Sequence, residues 1–96
     1  MIWMNYGWFI LTIQFFKRDE TESHLIEEEV IDLNDLLLYN EESVKNPFEK
    51  GTSVEKKSIE ILDRVILSTC SNEELPRDNM FRLGRSNQII ISEFTW

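Results

Sequence analysis

Trp8-Phe9-Ile10-Leu11-Thr12-Ile13-Gln14-Phe15-Phe16 is the stretch on which the fold turns. Aromatic and β-branched residues dominate it, and such side chains fit a pleated sheet better than the crowded turns of a helix. Alternation places Phe9, Leu11, Ile13 and Phe15 on one face and Trp8, Ile10, Thr12, Gln14 and Phe16 on the other. Because both faces are largely apolar, the strand should lie centrally or under a helix, with little exposure on either side. Upstream, Asn5-Tyr6-Gly7 has the composition of a turn and would make residues 2–4 a short partner strand.

The far end of the chain repeats the β signal. Met80 to Leu83, a turn at Gly84-Arg85-Ser86-Asn87 and a second strand over residues 88–96 read as a hairpin. Its Ile89-Ile90-Ile91 run would invite pairing with another molecule if left at an open edge. The clearest helical pattern runs from Ser53 to Cys70, where Val54, Ser58, Ile61, Leu62, Val65, Ile66 and Thr69 form one stripe. Thr52 and Glu55 have the spacing of a capping box at its start. Beyond it, Asn72-Glu73-Glu74-Leu75 reads as a short turn stopped by Pro76.

The acidic middle fits two periods. Leu25, Ile26, Val30, Leu33 and Leu37 fall near helical spacing, while residues 29–33 fit an extended segment equally well. Helix is the expectation adopted, although Glu27, Glu28, Glu29 and Asp32 would repel one another on it. Asn34 could cap a separate helix over residues 35–42, and the linker over residues 43–51, with Pro47 and Gly51, would end either version. Strands at both ends and helices between them predict a small two-layer α+β domain over residues 1–96. Its antiparallel or mixed sheet would come from the N- and C-terminal strands, with two or three helices from the middle of the chain on one face.

Size and composition agree with one folded unit. A chain of 96 residues buries roughly 60 to 70% of its unfolded surface, enough for one core. With 42% hydrophobic residues it is far from the composition of a disordered acidic tail. The uncharged residues 1–16 are too short, and too often interrupted by polar groups, for a membrane span, and no positive charge precedes them as in a signal peptide. Cys70 has no second cysteine to pair with, which suits a reducing cytoplasm.

Charge narrows the function further. From Asp19 to Glu49 eleven carboxylates face one Lys or Arg, Lys45, and the net charge of the chain is −8. That sign opposes direct binding to nucleic acid, whose affinity comes from Lys and Arg displacing counterions, and favours a basic protein partner.

Catalytic and metal motifs find little support. His24 has carboxylates at helical offsets, Glu20, Glu27 and Glu28, and reads as a surface residue. Cys70, at a helix C-terminus, lacks the positive dipole end that activates thiols and reads as inert and half-buried. One His and one Cys are a poor zinc set, and Asp32-Leu33-Asn34-Asp35 places Leu37 where a calcium loop needs Gly. Asp35 with Glu55-Lys56-Lys57 only weakly imitates a magnesium-nuclease triplet. No cofactor, metal or catalytic residue is therefore expected, and the chain is read as a non-enzyme.

The expectation is a small acidic inhibitor of a basic partner, an immunity protein or antitoxin that blocks a nuclease toxin. Glu27, Glu28, Glu29, Asp32 and Asp35 would meet the positive surface, and Tyr39 would anchor the contact. One alternative keeps the same carboxylates, a DNA-mimicking inhibitor of a nucleic-acid-binding protein; another, a homo-oligomeric scaffold or accessory subunit joined through its terminal strands, leaves the acidic face as solvation.

Overall fold

In the computed structural model, which describes residues 10–40, 43–70 and 79–94, the elements are β1 (Ile10–Arg18), β2 (Ser23–Asp32), α1 (Leu33–Leu37), α2 (Ser53–Cys70), β3 (Met80–Leu83) and β4 (Asn87–Phe94). The strands form one antiparallel sheet in the order β2-β1-β4-β3. This is the α+β arrangement expected, with the strands from the two ends of the chain paired at the centre of the sheet. The expected strand at residues 2–4, Trp8, Phe9 and the turn at residues 72–75 lie outside the described residues.

β1 is central because both of its faces are apolar enough to be covered. Leu11, Ile13 and Phe15 are fully buried, while Ile10, Thr12, Gln14 and Phe16 are half-buried on the other face. Ile13 lies opposite Ile91 and Phe15 opposite Ile89, so the isoleucine run of β4 is used inside the sheet. β3 pairs with the outer side of β4 as far as Ile90, and the Asn79 carbonyl accepts from the Ile91 N–H at 2.9 Å. Both backbone sides of that run are thus occupied.

α2 spans the residues its stripe predicts. Ser58, Leu62, Val65, Ile66 and Thr69 are buried, and its three apolar members join Leu11, Ile13, Phe15, Ile89 and Ile91 in one core. The two polar members are satisfied: Asn46 donates to the Ser58 hydroxyl at 3.0 Å, and the Thr69 hydroxyl donates to the Val65 carbonyl at 2.9 Å. At the helix start the Thr52 hydroxyl accepts from the Glu55 N–H at 3.2 Å. The Glu55 carboxylate reaches one residue further back than in a standard capping box and accepts from the Gly51 N–H at 2.8 Å. Gly51 sits at φ +83°, a conformation other residues adopt only with strain.

Residues 43–51 are more than a linker. Val44 and Phe48 belong to the core, and the Phe48 ring meets Phe15 edge-on with centroids 5.6 Å apart. Asn46 folds the segment tightly by accepting from the Phe48 N–H at 2.9 Å while its amide holds Ser58. The segment therefore straps α2 to the sheet.

The helix expected over the acidic middle is corrected to a strand followed by a five-residue helix. β2 pairs with β1 from Ser23 to Asp32, with a bulge where Phe15 faces Glu27 and Phe16 faces Leu25, leaving Ile26 unmatched. The extra residue breaks the alternation that would have marked a strand, and so the apolar spacing imitates a helix. The helix that follows is capped by Asp32, whose carboxylate accepts from the Asp35 N–H at 2.8 Å, and not by Asn34. It ends at Leu37, well short of residue 42, with Leu36 as its buried contact.

Candidate partner-binding surface

β2 is an edge strand, paired on one side with β1 and on the other with no described strand. Its register distributes the acidic residues. Glu27 and Glu29 lie opposite the core-facing Phe15 and Ile13, on the side of α2, whereas Glu28 lies opposite Gln14 on the other face. Gln14 donates to Glu28 at 2.8 Å. A single acidic helix face is therefore replaced by carboxylates fanned around both sides of a strand edge.

Two of these groups are brought back together by α1. Glu29 and Asp35 line a shallow hollow of about 270 Å³ with Ile31, Leu38, Tyr39 and Ser43 among its walls. Leu37 and Leu38 beside it are 65% and 76% exposed, and Leu25 and Val30, opposite Phe16 and Thr12, are exposed on the other face of the strand. Among the described residues, none of Glu27, Glu28, Glu29, Asp32 or Asp35 makes an ion pair. The surface thus combines uncompensated negative charge with exposed aliphatic side chains.

Tyr39 is placed differently from the rest of the expected set. Its ring is half-buried against the core, and its hydroxyl donates to Asp63 of α2 at 2.6 Å. It forms a fixed wall of the hollow, while Leu37 and Leu38 offer the accessible apolar contact. Asp63, which holds that wall, escaped sequence reasoning because nothing local links two residues that far apart in the chain.

Asp19, His24 and Glu55 are engaged within the fold. Asp19 closes the β1–β2 turn by accepting from the Thr21 and Glu22 N–H groups at 2.9 and 2.8 Å. These two bonds, with help from His24 at 2.8 Å, hold its carboxyl well below the usual carboxylate range. His24 is a surface residue, as expected, but its partners are Asp19 and the more distant Glu22, because the segment is a strand and helical offsets do not apply. Cys70 is exposed and not half-buried, with its sulfur 3.5 Å from the Leu36 carbonyl. Glu55 is occupied by its cap.

Among the described residues no group of three His, Cys, Asp or Glu side chains could hold a metal ion, and no helix is long and apolar enough to cross a membrane. No protein-family model, curated protein or solved structure matches this chain.

Proposed function

We propose that this protein binds and neutralises a basic protein, acting in the cytoplasm as an immunity protein or antitoxin does against a nuclease toxin. The observation that carries the reading is the placing of Glu29 and Asp35 at one hollow beside exposed Leu37 and Leu38, with no ion pair to compensate them among the described residues. An Arg or Lys of a partner can lay its aliphatic stem along Leu38 and Tyr39 and place its charge between the two carboxylates. Nuclease surfaces supply such side chains because they must bind phosphate.

The edge of β2 that pairs with no described strand adds selectivity. Glu27, Glu28 and Glu29 would face their own kind if two copies paired through β2, so a second copy is repelled and a basic segment is attracted. Pairing between copies through β1 or β4 has little room, since each is flanked by two neighbours within the chain.

Charge reversal tests the assignment. A tagged full-length chain should capture a basic protein at low salt and release it as salt rises. Glu29→Lys with Asp35→Lys should weaken that complex by about thirtyfold or more, the scale of an unpaired buried charge. Undiminished capture by the double variant would sink the assignment of this surface.

A further inference from the structure

The acidic surface has a counterpart of opposite sign. Where β1 ends and the β3–β4 turn begins, a cleft of about 460 Å³ is lined by Arg18, Arg82 and Arg85, with Phe16, Ser23 and Gln88. Phe16 lies opposite Gln88 on β4, and Gln88 opposite Arg82 on β3, so the three form one row across the sheet. Phe16 alternates with core-facing Phe15, which puts this row on the face away from α2. Among the described residues no Asp or Glu lines the cleft, and none of the three arginines makes an ion pair.

Three guanidinium groups around one cleft, without an ion pair among the described residues, are conspicuous in a chain with 18 carboxylates and 10 Lys and Arg residues. They repel one another, and a bound anion relieves that repulsion. The guanidinium fork matches a phosphate group through two parallel hydrogen bonds, which a point charge cannot do. A cleft of this size exceeds what one phosphate fills and falls in the range of small-molecule sites, about 300 to 1,000 Å³. The half-buried Phe16 ring supplies a flat apolar surface for stacking, and the neighbouring Gln88 amide and Ser23 hydroxyl supply donors and acceptors.

Charge range sets the size of the ligand. At physiological ionic strength the screening length is about 8 Å, so carboxylates beyond that range act weakly in the cleft, while the nearer Asp19 is engaged by the Thr21 and Glu22 N–H groups and His24, and Glu22 lies beside His24. A long nucleic acid would run beyond the cleft onto a surface of net negative charge and be repelled. We propose that this cleft binds a small phosphate-bearing ligand of the nucleotide class, its phosphates on Arg18, Arg82 and Arg85 and its heterocycle on Phe16.

The test is a titration of the full chain with ADP, inorganic pyrophosphate and a single-stranded oligonucleotide, followed through the backbone amide NMR signals. ADP should give saturable shifts centred on Phe16 and residues 84–88, and should bind more tightly than pyrophosphate. Arg82→Gln with Arg85→Gln should weaken ADP by about tenfold or more while the other amide signals stay in place. Phe16→Leu should weaken ADP and spare pyrophosphate. The absence of saturable shifts, shifts scattered over the lysines, or unchanged affinity in the double arginine variant would overturn the site. Equal binding of ADP and pyrophosphate would overturn the role of Phe16, and tighter binding of the oligonucleotide would overturn the restriction to small ligands.

Discussion

α2 and β2 both carry recurrent aliphatic residues, yet α2 buries a continuous stripe of five residues while β2 buries only Ile31. The difference lies in what each element must satisfy. Along α2 every buried position obeys one period, and a cap marks where it begins, so local and tertiary demands agree. β2 has one neighbouring strand among the described residues, a bulge at Ile26, and side chains directed into two different environments. An edge strand can tolerate such a mixed pattern because much of it stays in water, and that tolerance leaves room for a recognition surface.

The sharpest way to break this comparison is to truncate a β-branched aliphatic side chain to alanine in each of the two elements. Ile66→Ala in α2 removes a fully buried side chain and should cost about 2 to 5 kcal/mol in chemical unfolding. Val30→Ala in β2, where the residue is 57% exposed, should change stability by less than about 0.5 kcal/mol. A loss at Val30 as large as that at Ile66 would mean that β2 is covered and cannot be a free edge.

A smaller effect sharpens the α2 side. Thr52→Ala removes the hydroxyl that accepts from the Glu55 N–H and should cost about 1 kcal/mol, read as a shift in denaturation midpoint at constant slope. No shift would mean that the Glu55 bond to Gly51 alone secures the helix start.

The smallest effect belongs to the turn that leads into β2. Because the folded state holds the Asp19 carboxyl below its ordinary range, the folded chain binds that proton less readily than the unfolded one. The stability this contributes is present above about pH 4 and drains away as pH falls through the lower, folded value. Asp19→Asn keeps an acceptor for the Thr21 and Glu22 N–H groups but cannot titrate. The variant should show a shallower loss of stability on acidification, measured by thermal unfolding across an acid series. An acid limb identical to that of the unsubstituted chain would remove Asp19 from the account.

Legibility followed the same divide. β1, α2 with its Thr52 cap, and the β3–β4 hairpin could be read from residues alone, because each is a run of consistent choices within a short window. The acidic residues could be named as a set, since charge needs no geometry to be counted. Their arrangement could not, because the bulge removes the alternation that would have separated strand from helix. Val44 and Phe48 were hidden for a different reason. They sit in a segment punctuated by Pro47 and Gly51, and only the contact with Phe15 and the Asn46 bond to Ser58 turn that segment into core.

From the sequence by itself came the α+β class, the strands near both ends, the span of the main helix and the excess of negative charge, all properties carried by local period and composition. Only the tertiary structure decided that β2 and β3 are the edges, that Tyr39 is held inward by Asp63, that Glu29 and Asp35 share a hollow, and that Arg18 meets Arg82 and Arg85 across the sheet. These depend on register and on contacts between residues far apart in the chain, where a shift of one position would send each side chain to the opposite face.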